Sequence, residues 1–341
     1  MNAKNPEVVM VTGASAGVGR ATALAFAKRG GHLGLVARGL PGLESLRKEA
    51  EALGARALVL QCDVSDPEQA ELSARKLEET FGPIDVWVNN AMTTIFAPFK
   101  RINPAEFKRA TEVTYLGTVY GTMSALKRML SRDRGTIVQV GSALAYRSIP
   151  LQAPYCGAKH AILGFTTSLR TELLHDGSNV HITMVHLPAM NTPQFEWCRT
   201  GLPRHPQPVP PIFEPEVAAE AIYWAAHHRR REVRVGASTV KAILGNKVMP
   251  STLDHYLGNM GYEAQQTQDP VLPDRPDNLF EPVNTDYGTH GSFGAESAKF
   301  SLQTWSTLHR GTLTALAAGA AILAWTAVGG KNKKHKRKAR F

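Results

Sequence analysis

Cysteine is scarce in this chain: three in 341 residues (Cys62, Cys156, Cys198), in no metal-like spacing. That excludes a disulfide framework or a zinc site as the organising device and suits reduced thiols in a cytosolic compartment. A secretory signal is missing too, since MNAKNPEVVMVTG enters a β-type apolar run with no basic leader and long apolar stretch before it. There is no internal repeat, which argues against a solenoid. Acid is absent from the last stretch, Lys331–Arg340 (KNKKHKRKAR), whose seven Lys/Arg supply most of the formal charge of +10. Without them 32 basic residues face 29 acidic ones. The basicity is a property of the tail, and no aromatics interleave with it, so nucleic acid is not an expected partner.

What the chain does have is 43% hydrophobic and 20% charged residues, enough for a sizeable core. Short apolar runs at Glu7–Thr12, His32–Ala37, Arg56–Cys62, Ile84–Asn89, Gly135–Val140, Val180–His186 and Glu232–Val235 read as strands buried on both faces. Helical stretches alternate with them: Val18–Arg29, Gly42–Leu53, Pro67–Thr80, Pro104–Leu130, Pro154–His175 and Pro215–His228. Four of these open on proline, which suits a first helical turn. The alternation predicts an α/β fold, a doubly wound parallel sheet of seven strands with helices on both faces, over residues 1–240. Residues 241–307 are rich in Pro, Asp and Gly with little periodicity, and are expected to wrap or to cover the substrate side. An uncharged stretch (308–330) and the basic tail (331–341) follow.

After the first run comes Thr12-Gly13-Ala14-Ser15-Ala16-Gly17-Val18-Gly19, then a helix. Glycines there let the backbone turn tightly and approach a ligand, and the N–H groups of the helix start face phosphates. Thr12, Gly13, Ser15, Ala16, Gly17, Val18 and Gly19 are therefore candidate cofactor-binding residues. The second run ends Val36-Ala37-Arg38, without the acid that would pair with the ribose hydroxyls of NAD. Arg38 stands instead where a 2′-phosphate would be met, which favours NADP(H) over NAD(H); an arginine merely solvated at a strand end is the plainer alternative.

Tyr155 and Lys159 lie four apart, on one face of the helix beginning near Pro154. A free tyrosine has a pKa of about 10, and a neighbouring ammonium together with an oxidised nicotinamide ring would lower it. Tyr155 is then a general acid for a carbonyl oxygen, with Ser142, at the end of the fifth strand, holding that oxygen by hydrogen bond. These residues, with Cys62-Asp63-Val64, Asn89-Asn90-Ala91 and the Gly-x3-Gly-x-Gly turn, closely resemble the short-chain dehydrogenase/reductase family over residues 7–240. The resemblance implies a Rossmann-type fold, a hydride moved between nicotinamide and an alcohol/carbonyl substrate, and assembly as a homo-oligomer. It further implies that Lys159 binds the nicotinamide ribose, that Asp63 and Val64 shape the adenine pocket, and that Asn89 and Ala91 flank the cofactor. Pro188 and Thr192 fall where the family contacts the nicotinamide carboxamide. Thr114 replaces the family's asparagine, which holds a water linking the lysine to solvent; Met92 and Ala189 each replace a glycine.

Met190–Pro215 occupies the family's substrate-lid position, with Phe195, Trp197 and Ile212 as apolar wall or as loop packing. No metal is implied. Leu313–Val328 is just long enough to span a bilayer with its flanks, but spanning conflicts with a basic tail and a catalytic domain both expected in the cytoplasm. A helix lying on an anionic membrane surface resolves the conflict, and a helix packed on the body is the alternative. A nucleotide-binding scaffold or redox sensor without turnover is the rival function, kept open by Thr114.

Overall fold

The computed structural model describes residues 6–272, 274–315 and 318–319. Seven strands form one parallel sheet: β1 Val8–Thr12, β2 His32–Ala37, β3 Ala57–Gln61, β4 Val86–Asn89, β5 Thr136–Ser142, β6 His181–Leu187 and β7 Glu232–Arg234. Their order is β7-β6-β5-β4-β1-β2-β3, so the direction of winding reverses between β1 and β4. β1 is apolar up to Thr12 and every residue of it is buried, as helices on both faces require. Apolar side chains gather in one cluster on each face, Val9, Leu33 and Val185 lying in one, Met10, Leu77 and Trp87 in the other.

The helices are α1 Gly17–Ala27, α2 Leu40–Ala52, α3 Pro67–Phe81, α4 Pro104–Thr111, α5 Gly117–Met129, α6 Ala153–His175 and α7 Pro215–His227. Local chemistry starts several of them. Asp66 caps α3 by accepting from the Glu68 and Gln69 N–H groups (2.9 and 3.2 Å), and Pro67 occupies the first turn, where its missing N–H costs nothing. Asn103 and Glu106 cap α4 reciprocally. The long helix expected over Pro104–Leu130 is interrupted at Glu112–Leu116 by one π-turn, which separates α4 from α5 and is centred on Thr114.

The extension is more ordered than its composition suggests. Helices α8 (Ala237–Val248) and α9 (Pro250–Met260) follow the sheet; they escape a periodicity reading because few of their residues are buried. Residues Gln266–Pro270 then pair antiparallel with Arg204–Pro206 of the lid segment. Ser297–Ala298 joins Ile212–Phe213, which in turn pairs with Ala189–Met190. Finally α10 (Leu302–Leu308) packs on α7. Among the described residues no helix is long and apolar enough to cross a membrane. Most of the apolar stretch and the whole basic tail lie outside the described residues.

Candidate active site

The carboxyl ends of β1, β4, β5 and β6 surround a cleft of about 450 Å³, at the point where the winding reverses. Gly13, Ser15, Ala16, Gly17 and Val18 line one end of it, with Ala91 and Thr192 beside them. A Cβ at Gly13, whose φ is +65°, would stand 2.8 Å from the Ala91 Cα, so only glycine fits that turn. Gly19 does not border the cleft; a Cβ there would lie 2.1 Å from the Gly13 carbonyl oxygen, and its smallness lets α1 seat against the strand turn. Thr12 is likewise buried, its hydroxyl accepting from the Asn90 and Ala91 N–H groups (2.9 and 3.1 Å) and so tying β1 to β4. A Gly-rich turn that opens a helix N-terminus onto the cleft fits a dinucleotide's phosphates.

Ser142, Tyr155 and Lys159 meet at the middle of the cleft, with Pro188 nearby. The Lys159 ammonium is 5.4 Å from the centre of the Tyr155 ring and donates to the Val140 carbonyl at 2.7 Å. Burial pushes the Tyr155 phenol above its ordinary range, against the pull of the Ser142 hydroxyl, and draws the Lys159 ammonium down to about 8. The lowered phenol expected from the sequence is therefore not what the protein groups alone produce: desolvation outweighs the Ser142 hydrogen bond. Behind Ser142 the ring of fully buried His186 has Nδ1 3.3 Å from the Ser142 carbonyl oxygen. Burial draws that imidazole down to about 4 although the Glu232 carboxylate lies 3.7 Å from Nε2.

Three candidate residues have partners that the sequence does not record. Asn89 does not face the cofactor cleft: it is buried, accepting from Trp87 Nε1 (2.9 Å) and donating to Thr122 Oγ1 and Gln139 Oε1 (3.1 and 3.0 Å). Its neighbour Asn90 borders the cleft and donates to the Thr12 and Gly13 carbonyls (3.0 and 3.2 Å). Thr114, which stands in place of the family's asparagine, has its hydroxyl engaged locally: it donates to the Thr93 carbonyl (2.9 Å) and accepts from the Thr93 N–H (3.1 Å). A short β-branched side chain on the π-turn reaches the adjacent backbone and is used there. Arg38 is held by the extension: its guanidinium donates to the carbonyls of Asn278 and, at 2.7 Å, Phe280.

Arg38, Asp63 and Val64 line a smaller hollow of about 120 Å³ at the adenosine end. Burial alone would raise the Asp63 carboxyl, but bonds from Arg109 and Ser65 outweigh it and hold it below the ordinary carboxylate range. The substrate end is walled by Phe96, Phe195 and Trp197 and by the extension's Tyr256, Leu257 and Met260. Those extension residues, and Asn278, carried no motif that sequence reading could use. All three cysteines are buried, and burial raises Cys62 and Cys198 to about 11, the opposite of a reactive sensor thiol.

A doubly wound sheet with a glycine turn after β1 and a serine–tyrosine–lysine group at its switch point defines a nucleotide-binding oxidoreductase. Residues 7–200 match the short chain dehydrogenase family, and the chain belongs to it. An uncharacterized oxidoreductase of Bacillus subtilis is 31% identical over 277 residues, covering 81% of this chain and 78% of the relative. Among solved structures, an alcohol dehydrogenase from the archaeon Thermococcus sibiricus, complexed with 5-hydroxy-NADP, aligns with a TM-score of 0.59 at 27% identity, covering 67% of this chain and 95% of its own. A metagenomic short-chain oxidoreductase in complex with NADP aligns with a TM-score of 0.57 at 25% identity, over 67% and 96% of the two chains.

Proposed function

We propose that this protein is an NADP(H)-dependent reductase that converts a lipophilic ketone or aldehyde to the alcohol. The observation that carries the reading is the convergence of Ser142, Tyr155 and Lys159 at the middle of one cleft whose end is the glycine turn. When bound, a nicotinamide dinucleotide supplies the hydride. Tyr155 carries the proton: its buried phenol stays protonated at neutral pH and gives that proton to the carbonyl oxygen. Ser142 donates a hydrogen bond to the same oxygen, and the Lys159 ammonium stabilises the phenolate left behind and binds the nicotinamide ribose hydroxyls. Thr12 and Asn90 keep the glycine turn in shape, while Ser15, Val18 and Thr192 border the phosphates and nicotinamide.

Arg38, with no acid beside it at the end of β2, supports NADP(H), as do the NADP and the 5-hydroxy-NADP held by the two solved relatives. Apolar walls at Phe96, Phe195, Leu257 and Met260 support a lipophilic substrate. The test is Tyr155→Phe in a carbonyl-substrate screen with NADPH. Removing the acid lowers kcat about 10²–10⁴-fold and leaves nucleotide affinity unchanged. A variant as active as the parent contradicts the assignment.

A further inference from the structure

The cofactor end of the cleft is roofed by a part of the chain that the family's motifs do not include. After α9 the extension returns across the carboxyl edge of the sheet, pinned at both ends of residues 279–293. Leu279 is fully buried in a cluster with Ile95, Ala97 and Ala110. Phe293 packs edge-on against Phe195, ring centres 5.6 Å apart. At and beyond the first anchor three arginines of the catalytic body hold the strap. Arg38 donates to the Asn278 and Phe280 carbonyls, and Arg109 Nε donates to the Leu279 carbonyl at 3.1 Å. Arg20, whose side chain is 2% exposed, pairs with Asp286 at 2.6 Å, and Asp286 in turn accepts from the Gly288 N–H at 3.0 Å. The Gly17 N–H, in the first turn of α1, donates to the Gly288 carbonyl at 3.2 Å.

Two details tie this strap to the dinucleotide rather than to loop packing. Tyr287 lines the adenosine hollow and meets Trp197 edge-on, ring centres 4.6 Å apart, while Trp197 lines both the hollow and the main cleft. The aromatic pair therefore bridges the two compartments that one dinucleotide must fill together. The strap's carbonyls also take two of the five guanidinium donors of Arg38, which lines the hollow, and so fix the plane of its guanidinium.

We propose that residues 278–291 are a cofactor-binding element, a strap that aims Arg38 and, through the Trp197–Tyr287 pair, closes over the bound dinucleotide and slows its release. The proposal rests on the reading that the cleft holds such a cofactor. The strap's contacts with the dinucleotide form after it has entered, so capture is little affected, whereas release must first break them.

The experiment is stopped-flow release of NADPH from the full chain by chase, with capture rates measured on the same samples. Tyr287→Ala removes the ring and speeds release about tenfold, near the upper range for losing an aromatic pair. Tyr287→Phe keeps the ring and stays within about twofold of the parent. Asp286→Asn, at an exposed position, frees the strap from Arg20 and also speeds release. Parent-like release in both Tyr287→Ala and Asp286→Asn overturns the strap while leaving the cofactor reading intact. Faster capture with unchanged release overturns it as well, since the strap would then be a plug. Failure of the parent to bind either NADPH or NADH overturns the cofactor reading, and the strap with it.

Discussion

The glycine turn after β1 and the strap that crosses it touch at Gly17 and Gly288, yet they are held in opposite ways. The turn sits on a sheet whose strands bury apolar side chains on both faces, so many weak contacts share its stability. The strap is fastened by a few directed bonds from Arg20, Arg38 and Arg109 and by two buried anchors, Leu279 and Phe293. A region held by few bonds opens locally at a cost below that of global unfolding. The site thus joins a rigid half, which carries the glycine turn, to a half able to move, which in our proposal slows release of the bound dinucleotide.

The largest way to break this comparison is to cut the same side chain from each half. Leu77 and Leu279 are both fully buried. Leu77→Ala lowers the urea-measured stability of the whole chain by roughly 2–5 kcal/mol, because the loss falls on the shared core. Leu279→Ala leaves the urea midpoint nearly in place and instead speeds amide exchange over residues 279–291. Equal midpoint shifts would show that strap and sheet unfold as one unit.

Acidification sharpens the contrast from the side of the sheet. His186 has a folded value of about 4, below the ordinary 6.5, so the unfolded chain takes up its proton first. The stability this confers is complete above pH 6.5 and falls as the pH drops toward 4, by up to about 3 kcal/mol. Chemical denaturation across that range, run beside His186→Gln, should show the slope in the parent and its flattening in the variant. An unchanged slope assigns the effect elsewhere. The smallest effect lies at the boundary of the two halves. Arg38→Asp raises KM for NADPH about tenfold more than KM for NADH, the scale of one lost charge-assisted contact. Equal rises in steady-state kinetics contradict the role of Arg38.

What was legible in the sequence follows the same division. All seven strands could be placed to within about two residues, because a strand buried on both faces must be an apolar run bounded by turn residues. The catalytic group was readable because Tyr155 and Lys159 share one helix face and Ser142 ends a strand. Asn89 was misassigned to the cleft because the sequence records neither Trp87 Nε1 nor Gln139 as its partners across the sheet. Thr114 kept its place in the kinked helix, but its bond to Thr93 belongs to tertiary structure. The strap was illegible for a deeper reason: its bonds are accepted largely by backbone carbonyls, which every residue carries, so no residue type marks them. Helices α8 and α9 lacked the buried stripe that makes a helix readable.

The central claim is tested most directly by fluorescence titration of the purified full chain with NADPH and with NADH. The account predicts saturable binding of both, tighter for NADPH, and the same affinities in Tyr155→Phe. No saturable binding of either nucleotide would contradict it.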